Sequence, residues 1–242
     1  MNHGRPCFAK VLISGDEDIS YEEIFNQAAW EAGVSFGKIS GILATGIGKG
    51  STPSSWKKKS DPICHARGAF YLIPSAKGVL DIGAEGSRAV KLEEGGRVAD
   101  FTVNSKCAAG TGIFLETMAK IMNLSIEKMG IAAVQAGGKA RISSFCAVFA
   151  ESEVISNIHK GVPKDHIVSG IHESVADRLM ELLNRVKIGN NLVLSGGGAK
   201  NLGLVKALEN RLGQSVRVPD SPETVGALGA ALIAQDSWRK SG

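Results

Sequence analysis

Two cysteines each stand just ahead of an apolar run that has the spacing of a helix. Cys107 lies in KCAAGTGIFLE and Cys146 lies in SSFCAVFAESEV. A helix N-terminus lowers the pKa of a thiol, and the thiolate is the form that binds metal ions. A [4Fe–4S] cluster takes four thiolates, so a symmetric dimer could hold one cluster on its two-fold axis. Single cysteines are more often buried apolar side chains, and the residues alone leave both interpretations open.

Two glycine turns have the composition of nucleotide-binding loops. Asp81 ends an apolar run in LDIGAEG, and Gly83 opens a tight turn behind it. The backbone amides of such a turn can hold a phosphate, and the carboxylate can hold Mg²⁺ or orient a water. In LSGGGAKNLGL, Gly196, Gly197 and Gly198 separate an apolar run from a helix start, where the backbone can approach a ligand. Ordinary turns are the alternative, since neither a Walker A loop nor a GxGxxG pattern is present.

A third turn, formed by Gly110, Thr111 and Gly112, lies three residues beyond Cys107. It could contact phosphate in the same way as the loop after Asp81, or it could only begin a helix. Cys64 and His65 are adjacent, but adjacent side chains diverge, so a joint metal site is not expected there.

The composition is that of an ordinary globular protein. The chain has 242 residues, of which 43% are hydrophobic and 21% charged, with a net charge of +4. Few aromatic residues and one short basic run, WKKKSD, do not favour a nucleic-acid partner. No segment approaches the roughly 20 apolar residues of a membrane span, and the first residues lack a signal-peptide core. We therefore expect a cytoplasmic protein with reduced cysteines and no membrane partner.

The residues that surround these turns predict an α/β protein. Ser20 and Glu23 form a capping-box pattern, and Asp61 followed by Pro62 is typical of a helix N-cap and first turn. The elements expected in the first part are a strand at 8–14, a helix from Ser20 to Gly33, a strand at 39–48 that runs into a glycine turn, and a helix from Asp61 to about Leu72.

Short turns, AEG and EGG, connect the next three apolar runs, which predicts an antiparallel meander. The expected elements from there on are strands at 78–83, 87–93 and 97–103, a helix after Gly112, a strand–helix unit at 142–161, a long helix at 165–186, a strand–turn–helix unit at 192–204, and a last strand and helix. The first half repeats this order except for the opening hairpin, so the halves are candidate repeats.

Seven segments occur in the order that one protein family shows. They are HARGAFYL, LDIGAEG, KCAAGTGIFLETMA, SSFCAVFAESEVI, GIHESVADRL, LSGGGAKN and VGALGAAL. From about Phe8 to Gln235 the chain resembles the ATP-dependent activators of 2-hydroxyacyl-CoA dehydratases and the related ATP-binding subunits of benzoyl-CoA reductase. The pairing of CAAGTG with CxVFAESEVI is the specific part of this resemblance.

The resemblance implies a two-lobe, actin-like α/β fold of the acetate kinase, sugar kinase and heat-shock-protein-70 type. It implies an N-terminal lobe at 1–76 that lacks its first β-hairpin, and a C-terminal lobe at 77–242. ATP and Mg²⁺ are expected in the cleft between the lobes. A homodimer, or a heterodimer with a related subunit, is expected to share one [4Fe–4S] cluster.

The resemblance also implies roles for residues. Cys107 and Cys146 are expected to bind the cluster, and Asp81 is the expected catalytic residue. The cofactor-binding residues expected are Gly83 and Ala84 in a phosphate loop, Gly196, Gly197, Gly198 and Asn201 in an adenosine loop, and Gly110, Thr111 and Gly112 at the start of the cluster helix. ATP hydrolysis is expected to change the angle between lobes, so that an electron from ferredoxin or flavodoxin passes to an acyl-CoA reductase or dehydratase.

The chain departs from the family pattern in two places. The first phosphate loop, D-x-G-[ST], and its Lys are missing ahead of the strand at 8–14, so we expect either a late-assigned start or a natural truncation. Many activators have DIGGQD where this chain has DIGAEG, with Ala84 and Glu85, which favours the shorter benzoyl-CoA reductase subunits. A non-hydrolysing iron–sulfur scaffold subunit and, less favoured, a small-molecule kinase are the alternatives.

Overall fold

In the computed structural model, residues 20–104, 110–143 and 146–239 are described. The expected strand at 8–14, and Cys107 with it, lie outside the described residues. The first half contains α1 (Tyr21–Glu31), β1 (Leu43–Ala44), β2 (Lys57–Lys58) and α2 (Asp61–Leu72). Ser20 and Glu23 form the predicted capping box at the start of α1.

The second half contains the remaining strands and helices. They are β3 (Gly78–Ile82), β4 (Ser87–Leu92), β5 (Val98–Asn104), α3 (Gly112–Ile121), α4 (Ile126–Gln135), α5 (Ala147–His159), α6 (Lys164–Arg185), β6 (Leu192–Ser195), α7 (Leu202–Leu212) and α8 (Val225–Arg239). This confirms the predicted α/β composition and the long helix. Within the described residues, no helix is both long and apolar enough to cross a bilayer.

The predicted meander is confirmed and forms most of a four-stranded mixed sheet. Its strand order is β5-β4-β3-β6, with β3 antiparallel to β4 and parallel to β6. The strand predicted after α7 is reduced to a single bridge between Val193 and Arg217. Only Arg217 pairs there because the next residues turn away toward Pro222, whose carbonyl accepts a hydrogen bond from Gly196 N at 2.9 Å.

β3, β4 and β6 are largely buried on both faces, as expected for strands between helices, whereas the edge strand β5 is mostly exposed. Successive side chains of β3 enter different clusters, because they point to opposite faces. Leu80 and Ile82 pack with the α6 side of the sheet, whereas Val79 packs with α2 and the start of α8. The α6 residues that the helical spacing predicted are buried: Ile167, Ile171, Val175, Leu179 and Leu182.

Two glycines allow α2 and α8 to cross at backbone contact. A Cβ added at Gly68 would lie 2.1 Å from the Val225 carbonyl oxygen, and one at Gly229 would lie 1.8 Å from the Cys64 carbonyl oxygen. Real side chains cannot approach a backbone atom so closely. The crossing therefore joins the C-terminal helix to the helix that carries Asp61 and His65.

We expect Gly229→Ala to lower the free energy of unfolding by about 1–3 kcal/mol, because the new methyl group overpacks the crossing. Chemical denaturation would measure it. Gly137→Ala is the matched control, since a Cβ there meets nothing within 4 Å, and it should stay within about 0.5 kcal/mol of the unsubstituted protein. Equal stabilities for the two variants would contradict this packing.

Candidate functional site

Two of the predicted turns, one after Asp81 and one at Gly196, meet at one edge of the sheet. β3 and β6 are parallel neighbours with Asp81 opposite Ser195, so their carboxyl ends lie together. Gly196 has a positive φ of 82°, and a Cβ there would lie 2.6 Å from Asp81 Oδ1. A Cβ at Gly198 would lie 2.4 Å from Ile82 Cγ2. Glycine is thus required for the turn to lie directly on the end of β3.

Asp81 is almost fully buried, and polar side chains surround its carboxylate. Asp81 Oδ2 accepts a 2.7 Å hydrogen bond from Arg88 Nη1. Asp81 Oδ1 lies 3.5 Å from Ser195 Oγ, which in turn lies 3.0 Å from His65 Nδ1. A neutral His65 with its proton on Nδ1 donates to Ser195, and Ser195 donates to Asp81. Burial lowers the pKa of His65, which favours this neutral form.

Arg88 binds a second carboxylate, which comes from the first half of the chain. Its Nη2 lies 2.9 Å from Asp61 Oδ2, and both groups are largely buried. The backbone amide of Gly46 donates to Asp61 Oδ1 at 2.8 Å, and Lys49 Nζ lies 3.5 Å from the same oxygen. Burial acts to raise the pKa of Asp61, but the Gly46 amide, Arg88 and Lys49 together hold it below its usual value.

Asp61 differs from its predicted place, and its partners were not predicted from the sequence. The helix N-cap is Ser60, and Asp61 is the first helical residue, so the prediction of Asp61 as N-cap was wrong by one position. The Asp61 carboxylate turns to Gly46 and Arg88 instead, because a buried charge needs an ion pair. The signal for Arg88 was in the sequence, since the predicted hairpin places it directly opposite Asp81.

A directly coordinated Mg²⁺ does not fit the carboxylates as they are arranged. Arg88 already occupies Oδ2 of both Asp61 and Asp81. Among the described residues, no group of three or more His, Cys, Asp or Glu side chains could hold a metal ion. The expectation that the Asp81 carboxylate binds Mg²⁺ directly therefore does not fit this arrangement, because Arg88 already pairs with it.

The loop after Asp81 is hydrogen-bonded to the start of α3. Gly83 N donates to Gly86 O at 2.9 Å, which closes the turn. The carbonyl oxygens of Gly83 and Ala84 accept hydrogen bonds from Gly112 N at 2.9 Å and Ile113 N at 3.0 Å. Two of the amides expected to be open at this helix N-terminus are therefore used by the loop. Two backbone hydrogen bonds thus join the loop to the start of α3.

Gly110 and Thr111 are buried beside this contact. The Gly110 carbonyl accepts a hydrogen bond from Ser87 Oγ, and Thr111 is the N-cap of α3. The third predicted turn thus lies against the loop that contains Gly83 and Ala84, as expected if both belong to one site.

Asn201 lies beneath the glycine turn and anchors α7. Its Oδ1 accepts from Leu204 N at 3.0 Å and lies 3.0 Å from His172 Nε2. Asn201 Nδ2 points to Ile126 O at 3.5 Å, so the side chain joins α7 to α6 and α4. Burial lowers the pKa of His172, against its contacts with Val168 O and Asn201, which raise it. This places Asn201 as a buried support of the turn Gly196–Gly198.

Cys146 is a free cysteine at the N-cap of α5 and is partly exposed. Val148 and Phe149, which follow it, are 67% and 66% exposed, an unusual state for such apolar side chains. A thiol at a helix start beside an apolar face fits a metal ligand that a second subunit would cover. Cys64, by contrast, is fully buried, and burial raises the pKa of its thiol.

The mixed sheet, the glycine turns at the ends of β3 and β6, and the α2–α8 crossing belong to an actin-like α/β fold. A xylulose kinase structure from Rhodospirillum rubrum shares this fold at 16% identity, with a TM-score of 0.51, covering 76% of this chain and 42% of the kinase. The chain belongs to the BadF/BadG/BcrA/BcrD ATPase family, which it matches over residues 15–234.

Two relatives with names that describe a role cover most of the chain. The 2-hydroxyisocaproyl-CoA dehydratase activator of Clostridioides difficile is 38% identical over 244 residues, with 96% of this chain and 92% of the activator aligned. Its structure with bound ADPNP superposes with a TM-score of 0.86 over 91% of this chain and 82% of that one. A benzoyl-CoA reductase subunit of Thauera aromatica is 38% identical over 218 residues, with 87% of this chain and 77% of that subunit aligned.

We expect the free energy of unfolding to fall as the pH is lowered from 7.5 to 5.5. Burial lowers the pKa of His65 and of His172 in the folded protein. As the pH falls through about 6.5, the two histidines bind protons in the unfolded chain before they do so in the folded protein. Proton binding then favours the unfolded state, so the free energy of unfolding decreases. Denaturant titrations at three pH values would measure the fall.

The matched variants are His65→Asn with His172→Asn, and the exposed His159→Asn as control. The double variant should have a flatter pH profile, whereas His159→Asn should keep the original slope. An unchanged slope in the double variant would contradict this prediction, because other titratable groups would then determine the pH dependence of stability.

Proposed function

We propose that this protein is an ATP-dependent electron-transfer activator, or the equivalent subunit, of a benzoyl-CoA reductase or a 2-hydroxyacyl-CoA dehydratase. The observation that carries the proposal is the direct hydrogen bonding of the loop Gly83–Gly86 to the start of α3. That contact joins the expected nucleotide loop to the helix that follows Cys107. A change in the loop on nucleotide binding would move this helix as a unit.

ATP is the proposed nucleotide, and its site is the edge where β3 and β6 end. Family membership and the fold shared with an activator solved with ADPNP support this choice. Gly196, Gly197 and Gly198 bring the backbone close to the ligand, and Gly83 and Ala84 line the phosphate side. Asp81, held by Arg88 and Ser195, orients the attacking water.

The proposed cluster ligands are Cys107 and Cys146 from each of two subunits. The partly exposed thiol of Cys146 and the exposed Val148 and Phe149 support a face that a second subunit covers. When bound, a [4Fe–4S] cluster supplies a one-electron carrier of low potential. The second subunit is a copy of this chain or a related subunit.

The remaining partners follow from the same role. Ferredoxin or flavodoxin is the proposed electron donor, and the acyl-CoA component of the reductase or dehydratase is the acceptor. The lobe division at 1–76 and 77–242, a cytoplasmic location, and the absence of nucleic-acid or membrane partners are parts of this proposal.

A non-hydrolysing iron–sulfur scaffold subunit is the second candidate. Two observations favour it: the Arg88 pairing that occupies Asp81, and the replacement by Ala84 and Glu85 in the loop. Under this alternative the cluster forms normally, but ATP is bound without being hydrolysed.

Anaerobic preparation should give about four irons and four sulfides per dimer. Cys146→Ser should lose most of this iron, because it removes a thiolate ligand from each subunit. Cys64→Ala is the control, since Cys64 is buried, and it should keep the iron. Iron assays, acid-labile sulfide assays and the visible absorption spectrum measure the result. A colourless, iron-free protein would contradict the cluster assignment.

Asp81→Asn should reduce ATP hydrolysis by about 10²–10⁴-fold, the range expected for loss of a group that handles a proton or orients a water. Asp100→Asn, on the exposed strand β5, should hydrolyse ATP at the original rate. Phosphate release under steady-state conditions would measure both. If the unsubstituted protein binds ATP but releases no phosphate, the scaffold alternative is correct.

A further inference from the structure

The two halves of the chain contain the same turn at equivalent places. β1 leads into Thr45-Gly46, and β6 leads into Ser195-Gly196, in each case before a short 3₁₀ turn. Gly46 has φ 86° and ψ 179°, and Gly196 has φ 82° and ψ 167°. A hydroxyl residue followed by a left-handed glycine is thus repeated in sequence and in backbone conformation.

Each of these turns faces one buried carboxylate. Gly46 N and Thr45 Oγ1 donate to Asp61 Oδ1 at 2.8 Å and 3.3 Å. In the second half, Ser195 Oγ faces Asp81 Oδ1 at 3.5 Å. Asp61 and Asp81 thus each face the hydroxyl of one turn, whereas the Gly196 amide donates to Pro222 O at 2.9 Å.

The Arg88 guanidinium joins the two carboxylates. Nη1 lies 2.7 Å from Asp81 and Nη2 lies 2.9 Å from Asp61. The side chains of Arg88, Asp61 and Asp81 are only 12%, 10% and 3% exposed. Arginine suits this place because its planar fork can serve two acceptors at once, whereas an ammonium group is a point charge.

We propose that Arg88 is a positioning residue through which the first half of the chain controls Asp81. This role rests on the proposed ATP hydrolysis. Asp61 and the Thr45–Gly46 turn fix the position of Arg88, and Arg88 fixes the position of the Asp81 carboxylate. Asp61 then affects the rate of hydrolysis without touching the nucleotide. A misplacement of about 1 Å at a reacting centre can cost about 100-fold in rate, so the contact need not break fully to matter.

A purely structural ion pair has a different signature. It would change the stability of the protein and leave the catalytic parameters of the folded fraction unchanged. A direct nucleotide contact would weaken binding and turnover together. A positioning role predicts a lower kcat at nearly constant nucleotide affinity.

The test is steady-state ATP hydrolysis and equilibrium ATP binding by the full-length, cluster-loaded protein and its variants. Asp61→Asn removes the charge that anchors Arg88 and keeps the shape of the side chain. Asp236→Asn is the matched control: it removes a different ion pair of α2, the one between Arg67 and Asp236 at 3.1 Å. Arg88→Lys is the second variant, for use if Asp61→Asn does not fold, because it keeps one charge beside Asp81.

We expect Asp61→Asn or Arg88→Lys to lower kcat at least about tenfold while the Kd for ATP changes less than about threefold. Asp236→Asn should match the unsubstituted protein in both values. Hydrolysis at the original rate in the Asp61 and Arg88 variants, or an equal loss in affinity and rate, overturns the positioning role and leaves the proposed function standing. Failure of the unsubstituted protein to bind ATP overturns the proposed function and this inference with it.

Discussion

The sharing of Arg88 between Asp61 and Asp81 is the constraint on which the site depends. Two carboxylates from different halves of the chain are buried within reach of one guanidinium. Loss of one member of such a buried group leaves an uncompensated charge, which typically costs about 3–5 kcal/mol. The start of α2, the β3–β4 hairpin and the Gly46 turn are therefore held in one arrangement by electrostatics as well as by apolar packing.

At the same edge of the sheet, this charge cluster lies beside the Gly196 turn and the loop after Asp81. Gly196 lies on Asp81, and the loop after Asp81 donates and accepts backbone hydrogen bonds with its neighbours. Through Gly83 and Ala84 the loop holds the start of α3, and α3 packs against α5, whose N-cap is Cys146. A continuous set of contacts thus runs from the proposed phosphate site to one proposed cluster ligand.

Local patterns in the sequence predicted most of the elements and half of the site, although α4 was not predicted. Three apolar runs joined by short turns predicted the meander, and the apolar stripe from Ile167 to Leu182 predicted α6, because both signals lie in residues close together in sequence. The turns at Asp81 and Gly196 were identified separately, and the parallel pairing of β3 with β6 brought them together.

Non-local contacts could not be predicted from the sequence. Asp61 had the sequence context of a helix cap, and its pairing with Arg88 depends on how the two halves fold together. The strand after α7 was overpredicted for the same reason, since its apolar spacing does not show that only Arg217 reaches Val193.

In the proposed coupling, the nucleotide state reaches the cluster through the loop after Asp81 and α3. This coupling is tested by the reduction potential of the proposed iron–sulfur cluster, measured by electron paramagnetic resonance in the anaerobically prepared protein with ATP and then with ADP bound. We expect two different potentials, because the start of α3 is hydrogen-bonded to the loop that is proposed to contact phosphate. One potential, unchanged between ATP and ADP at saturating nucleotide, would contradict the coupling.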